Sequence, residues 1–260
     1  MEKQVRYRLE DGQAILTIDR EQARNSLSPG VIAELCDGVD AAESDASARV
    51  IVLTGAGENV FCAGGDLSGM GRQAAGQAAA EDAAKSYARL IRKLGEIGKP
   101  SIARVNGHAL GGGLGLALGC DLVVASERAQ FGTPEIEVGL FPMMVIALLQ
   151  RHLGRKRALE LVMTGDRLSA AEALALGLVN RVTKSGDLDA AVGDLALKLA
   201  GKSLAALRLG RRAFFAAEGM AFSPALDYLA TQFSSTLQLE DAAEGVAAFL
   251  QKRKPNWRDR

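Results

Sequence analysis

The spacing of apolar and polar positions predicts strand, helix, strand from the amino terminus to about residue 60. Ala14-Ile15-Leu16-Thr17-Ile18 follows the turn pair Asp11-Gly12, which points to a short hairpin. Arg24-Asn25-Ser26-Leu27-Ser28-Pro29 closes that strand. Ser28 suits the N-cap of a helix, and Pro29 its first position, where a missing N–H costs nothing. Val31, Ile32, Leu35 and Val39 then recur at helical spacing. Arg49-Val50-Ile51-Val52-Leu53-Thr54 is too short for a helix and rich in β-branched residues, so it reads as a buried strand ended by Gly55 and Gly57.

Residues 70–85 are dominated by Ala, Gly and Gln and read as a loop leading into a helix. Tyr87, Leu90, Ile91 and Leu94 give that helix its apolar face, and Gly95, Gly98 and Pro100 stop it. Ser101–Val105, Asp121–Ala125, Gln130–Gly132 and Val179–Val182 read as further short strands. A glycine-rich turn and a helix separate the first two of them. From Leu188 onward the pattern is helical, with a candidate boundary near Lys198. Alternation followed by helices predicts an α/β core over residues 1–197 and a helical region over 198–260.

Composition narrows the class. With 48% hydrophobic and 24% charged residues, the chain is globular rather than disordered, collagenous or coiled-coil. Lys+Arg and Asp+Glu both number 31, so no global basic field exists to collect nucleic-acid phosphates, and no nucleic-acid partner is expected. Cys36, Cys62 and Cys120 form no C-x-x-C pair, two histidines complete no zinc finger, and no metal site is expected. A reducing compartment is the simplest reading. The charged start Met1-Glu2-Lys3-Gln4-Val5-Arg6 lacks the apolar run of a signal peptide. Val138–Gln150 is too short to span a bilayer and contains Pro142. The expectation is a soluble cytoplasmic protein that does not associate with membranes.

Three segments are rich in chemistry. Phe61-Cys62-Ala63-Gly64-Gly65-Asp66-Leu67 follows a buried strand. Asn106-Gly107-His108-Ala109-Leu110-Gly111-Gly112-Gly113-Leu114-Gly115 follows another and opens a helix. The third is Gly132-Thr133-Pro134-Glu135-Ile136-Glu137-Val138-Gly139. Such glycine turns serve either tight turning and close packing, or exposure of N–H groups to a ligand oxygen. A dinucleotide fingerprint fails because Leu116 stands where its last glycine belongs. Gly201-Lys202-Ser203 ends like a P-loop, but Ala196 takes its first glycine position, and no G-x-S-x-G elbow exists.

Together these segments resemble the crotonase superfamily, the enoyl-CoA hydratase/isomerase family. The resemblance extends through Cys120–Ala125, Ala129–Glu135, Leu161–Asp166, Ala170–Val179 and Phe249–Pro255. It implies a spiral of ββα turns with carboxy-terminal helices that assemble trimers, often paired into hexamers. It also implies an acyl-CoA thioester as substrate, whose carbonyl oxygen the N–H groups of Gly65 and Gly112 would hold while an enolate forms. One such donor is typically worth about 2.7–4 kcal/mol in the transition state. Coenzyme A arrives as part of the substrate, so no separate cofactor is implied.

Hydratases of the family commonly use two glutamates. The resemblance carries the second onto Glu135, while Gly115 stands at the position of the first. One base suffices for a 1,3 proton shift, so the pattern resembles the Δ3,Δ2-enoyl-CoA isomerases. Hydration of a 2-enoyl-CoA by Glu135 alone is the alternative, and a non-catalytic acyl-CoA-binding scaffold a third. Glu137 is the weaker base candidate, in a segment that reads as extended. Phe141, Met143 and Met144 would wall the base, replacing a Pro-Gly-rich segment of many hydratases; they either reshape the acyl pocket or repack the core. By resemblance Arg24, the backbone of Ala63, Gly65, Asp66, Leu67 and Ser68, and Phe249 with Lys252 of a neighbouring subunit line the coenzyme A site. Asp66 reads as ordering its loop, and His108 and Cys62 as packed side chains.

Overall fold

The computed structural model describes residues 3–66 and 76–260. β1 (Val5–Glu10) and β2 (Gln13–Ile18) pair antiparallel about Asp11 and Gly12, whose φ angles of 48° and 74° make the turn the strand twist favours. On β2 the side chains of Ala14, Leu16 and Ile18 point inward. α1 (Pro29–Ser44) starts where Ser28 Oγ accepts from Val31 N at 3.2 Å, and buries Val31, Ile32, Leu35 and Val39 as their spacing predicts. At its other end the buried Lys99 donates to the carbonyls of Ala42 and Asp45, each at 2.6 Å, satisfying oxygens the helix leaves unpaired.

The chain then repeats one unit. β3 (Val50–Gly55), β4 (Val60–Cys62) and α2 (Gly76–Glu96) are followed by β5 (Ser101–Val105), β6 (His108–Leu110) and α3 (Gly112–Leu118). Next come β7 (Leu122–Ser126), β8 (Gln130–Gly132) and α4 (Met143–His152). α5 (Arg155–Thr164), β9 (Arg167–Ser169), α6 (Ala170–Ala175) and β10 (Arg181–Thr183) complete the sheets. Among the described residues one sheet runs β1-β2-β3-β5-β7-β10 and the other β4-β6-β8-β9. Each repeat therefore advances one place in both sheets, which is the expected ββα spiral. β3, β5 and β7 are buried on both faces: Ile51, Leu53, Ala103, Val105 and Val123 join the main core, while Val50, Val52, Ile102 and Val124 pack on Leu188, Val192 and Leu195 of α7 (Leu188–Ala200). Two-sided burial is why these strands read as continuous apolar runs.

Three expectations change. Residues 76–85 are helical rather than loop, since their alanines are the best helix formers; residues 70–75 of the expected loop lie outside the described residues. Pro134–Val138 is a 3₁₀ turn, not an extended segment. Lys198 sits in the last turn of α7, and the chain breaks at Gly201-Lys202-Ser203 instead. α8 (Leu204–Ala217), α9 (Phe222–Thr236) and α10 (Glu240–Leu250) follow. Arg211 of α8 fixes them to the core by donating to both oxygens of Asp121 at 2.8 Å and to the carbonyls of Leu94, Gly95 and Ile97. The last residues fold back: Trp257 Nε1 donates to Gly201 O at 2.9 Å, and buried Asp241 accepts from Arg258 N at 2.7 Å and Asp259 N at 3.1 Å.

Candidate active site

The second sheet delivers two glycine turns to one place. After β4 the chain passes Leu27: Leu27 N donates to Gly64 O at 2.8 Å, and Asp66 N donates to Leu27 O at 3.2 Å. These bonds bracket Gly65 and leave its own N–H unused. After β6, Gly111 donates to Gly132 O at 2.8 Å and turns the chain at φ 53° into α3, whose first residue is Gly112. Among the described residues the N–H groups of Gly65 and Gly112 donate to no protein acceptor. Gly64, at φ 93°, lets the turns meet: a β-carbon there would stand 2.9 Å from Leu110 O and 3.1 Å from Gly112 N. Among the described residues nothing lies within 4 Å of where a β-carbon of Gly65 would be.

Glu135 is brought to these turns by β8. Buried Thr133 anchors the exit of that strand by donating to Leu161 O at 3.1 Å, and Pro134 opens the 3₁₀ turn that carries Glu135. The carboxylate lies against Gly111, with Oε1 2.5 Å from where a β-carbon of residue 111 would stand. Its Oε2 is buried and has no hydrogen-bond partner among the described residues. Burial raises the carboxyl pKa above its ordinary value, and only the residue's own backbone N–H opposes this. An unpaired carboxylate with a raised pKa, beside two free N–H groups, can move a proton next to a carbonyl whose oxygen is gaining charge. Glu137, in contrast, is exposed.

Tyr87 of α2, which the sequence places among core residues, is part of this site. It is 5% exposed, and its hydroxyl donates to Gly112 O at 2.7 Å. A β-carbon at Gly115 would overlap that hydroxyl and stand 3.1 Å from Val145 Cγ2. Burial lifts the phenol pKa well above 10, with Cys62 and Glu135 acting in the same direction, so the phenol stays protonated. The only sequence signal was a tyrosine on an apolar helix face, whose hydroxyl must find a buried partner.

The other expected residues separate into groups. Arg24 is exposed, at φ 53°, and its carbonyl accepts from Ala63 N at 3.1 Å. Asp66 pairs with Arg20 at 3.0 Å, and the same guanidinium donates to Ser26 O and Oγ. Leu67 and Ser68 lie outside the described residues. Phe141 and Met144 are half-buried against the main core, while Met143 is exposed. Phe249 is 82% exposed on α10, which packs on α8, and Lys252 follows the end of that helix. His108 is half-buried with Nδ1 unpartnered among the described residues; burial and then Arg167 lower its pKa, so it is neutral. Burial pushes the Cys62 thiol up to about 12 against one opposing backbone hydrogen bond, which leaves it a small apolar residue.

A cavity of about 1650 Å³ lies elsewhere, between α2, α4 and α8, lined by Ile91, Met144, Leu148, Leu207 and Phe215 among others. Neither Gly65, Gly112 nor Glu135 lines it, so the site is located by its unpaired amides and carboxylate rather than by volume. Among the described residues no group of His, Cys, Asp and Glu side chains could hold a metal ion, and no helix is long and apolar enough to cross a membrane.

Known proteins resemble this chain over most of their length. The chain is 37% identical to the 2,3-dehydroadipyl-CoA hydratase of Escherichia coli over 248 residues, 95% of both chains. It is 36% identical to the crotonyl-CoA hydratase of Syntrophomonas wolfei over 251 residues, again 95% of both. The crystal structure of an enoyl-CoA hydratase from Mycobacterium smegmatis superimposes with a TM-score of 0.94 at 34% identity, covering 98% of this chain and 99% of that one. The family model for enoyl-CoA hydratase/isomerase matches residues 8–260, which takes in both glycine turns, Glu135 and the carboxy-terminal helices. Matched by the family model over residues 8–260 and by these relatives over nearly the whole chain, the chain belongs to the enoyl-CoA hydratase/isomerase family and is an enzyme of the crotonase type.

Proposed function

We propose that the enzyme isomerises a 3-enoyl-CoA to the conjugated 2-enoyl-CoA. The N–H groups of Gly65 and Gly112 hold the thioester oxygen. Glu135 removes a proton from C2, the electron pair moves onto that oxygen as an enolate, and Glu135 returns the proton to C4 while the double bond shifts. The observation that carries this reading is the carboxylate of Glu135, whose Oε2 has no hydrogen-bond partner among the described residues, together with the unused N–H groups of Gly65 and Gly112 and no side chain at position 115. Burial that raises its pKa strengthens it as a base relative to a surface glutamate.

A second reading, hydration of a 2-enoyl-CoA by Glu135 alone, is favoured by the names of the relatives, which are hydratases. Incubation with 3-enoyl- and 2-enoyl-CoA in deuterated water separates the two. The expected result is a conjugated product with deuterium exchange at C2. Fast water addition without a double-bond shift replaces isomerisation with hydration. Glu135→Gln is expected to abolish exchange while acyl-CoA still binds; unchanged turnover removes Glu135 as the base.

For coenzyme A, the same reading assigns Arg24, the backbone of Ala63–Ser68, and Phe249 with Lys252 of a neighbouring subunit; Phe141 and Met144 contact the acyl chain. It also assigns residues 198–260 to assembly of a trimer or a dimer of trimers. Exposed Phe214, Phe222, Phe233, Leu237 and Phe249 support this assembly, since water-facing aromatic and aliphatic side chains in such number mark an interface. Light scattering tests the assembly. Three free, buried cysteines suit a reducing cytoplasm.

A further inference from the structure

We infer that Tyr87 determines reaction specificity by filling the space in which a second, water-holding group at position 115 would stand. This rests on the reading of Glu135 as the base. Gly115 is buried in α3, and a β-carbon there would overlap the Tyr87 hydroxyl and press on Val145. The phenol is held in that place. Its ring edge lies 3.6 Å from where a β-carbon of Gly112 would be, and its hydroxyl is bonded to Gly112 O at 2.7 Å.

The hydroxyl carries one proton, and Gly112 O accepts it. Burial keeps the group un-ionised, so it offers neither a carboxylate to orient water nor a spare proton to donate. Adding water to a 2-enoyl thioester forms a C3–O bond, moves a water proton to a base and delivers a proton to C2. That sequence needs a water molecule fixed beside C3. With Tyr87 packed on Gly115, position 115 offers no polar side chain to anchor it. A proton shift from C2 to C4 needs no water, and the closed volume favours it. Tyr87 thus acts on the partition between two fates of the same class of substrate, not on the enolate itself.

The experiment is a partition measurement: 3-hydroxyacyl-CoA formed from 2-enoyl-CoA against conjugated product formed from 3-enoyl-CoA, for the parent and three variants. The double variant Tyr87→Ala/Gly115→Glu makes room and supplies a second carboxylate, and its hydration rate is expected to rise at least ten-fold over the parent. Tyr87→Leu opens part of the volume without a new charge, and the ratio is expected to shift toward hydration. Tyr87→Phe keeps the volume and loses the bond to Gly112, so both reactions slow together and the ratio holds. Should the double variant fail to fold, the Leu and Phe variants still decide, because a ratio unchanged in Tyr87→Leu, or raised in Tyr87→Phe, overturns the inference. Glu135→Gln run in parallel keeps the two readings apart. Isomerisation that survives it removes the base assignment. Isomerisation that it abolishes, with a folded double variant that gains no hydration, removes the role of Tyr87 alone. A parent enzyme that hydrates fast with Tyr87 in place overturns the role of Tyr87 and replaces isomerisation with hydration, while the base assignment is then decided by Glu135→Gln.

Discussion

The carboxylate of Glu135 rests on the α-carbon of Gly111, so closely that a β-carbon at residue 111 would stand 2.5 Å from Oε1 and 3.0 Å from Cδ. Gly111 also turns at φ 53°, ψ −126°, a conformation that an L side chain resists. Gly111→Ala should therefore act twice, by straining the turn and by pushing the base off its position. Strain of this kind costs about 1–3 kcal/mol of stability. Displacing a reacting group by about 1 Å can cost a hundred-fold in rate, so kcat/KM should fall by about that factor. Gly177, at φ 78° with nothing within 4 Å of a would-be β-carbon, is the control. Gly177→Ala should lose stability from strain and keep its kcat/KM. Equal kinetic losses in the two variants would show that Gly111 acts through stability alone.

Glu135 should also cost the protein stability at neutral pH. Its folded-state pKa is raised by burial, so the fold prefers the protonated carboxyl. The stability that this group contributes is fully present below its unfolded-state pKa of about 4.3 and is lost as pH rises through the folded value. Glu135→Gln removes the ionisation and should raise the melting temperature at pH 7. The gain should shrink toward zero as pH falls to about 4, where both side chains are neutral. Melting curves across this range check the sign. For the parent enzyme, kcat/KM should rise with pH through an apparent pKa above the ordinary glutamate value, because the ionised form is the base.

Long-range pairing and packing separate what was legible in the chain from what was not. The hairpin about Asp11-Gly12, the Ser28 cap and the strands of two-sided burial were legible because each depends on neighbours in sequence or on a run of apolar residues. β4, β6 and β9 were not. Each is three residues long, too short for any period, and exists only through partners such as Val60 with His108 or Phe131 with Leu168. Both glycine turns stood out by composition, whereas Glu135 was singled out by the family resemblance of its segment. Tyr87 did not stand out, since a tyrosine at helical spacing with Leu90 and Leu94 looks like core until Gly115 is found beneath its hydroxyl. The helix start at Gly76 was hidden by low complexity, where alanine content carried more weight than the missing pattern.

The carboxy-terminal helices should depend on Arg211. Its guanidinium is 8% exposed, bonds both oxygens of Asp121, and lies 4.9 Å from the centre of the Phe215 ring. It also fills the carbonyls that end α2, at Leu94, Gly95 and Ile97. Among the described residues, Arg211→Leu leaves Asp121 with only the Ser101 N–H and hydroxyl as donors and leaves these carbonyls without Arg211, and breaking a buried pair from one side costs about 3–5 kcal/mol. Arg211→Lys should recover only a minor part, because an ammonium cannot span a carboxylate and three carbonyls with a planar fork. Urea unfolding at pH 7 measures both. A lysine variant as stable as the parent would mean that charge alone holds the helices.

Asp259 should show a pH dependence opposite to that of Glu135. Its Oδ1 accepts from Leu204 N at 2.7 Å, at the first residue of α8, and its carboxylate pairs with Arg49. Burial alone would raise its pKa, but the Arg49 guanidinium and the Leu204 N–H outweigh burial and hold the carboxyl below its ordinary value. A depressed folded-state pKa contributes stability that is present above the unfolded value, about 3.9, and lost as pH falls through the folded one. Asp259→Asn keeps an oxygen that can accept from Leu204 N and loses the charge that pairs with Arg49, so it should destabilise at pH 7 by about 0.2–1 kcal/mol, the usual worth of a partly exposed ion pair. Salt should weaken the effect, because the pair with Arg49 is partly open to solvent. As pH falls below about 3.9 and on through the lower folded-state value, the parent loses its advantage and the two proteins should converge. If the difference instead persists unchanged at acid pH, where both side chains are neutral, it comes from the shape of the amide and not from charge, and the ion pair with Arg49 contributes nothing to docking the tail.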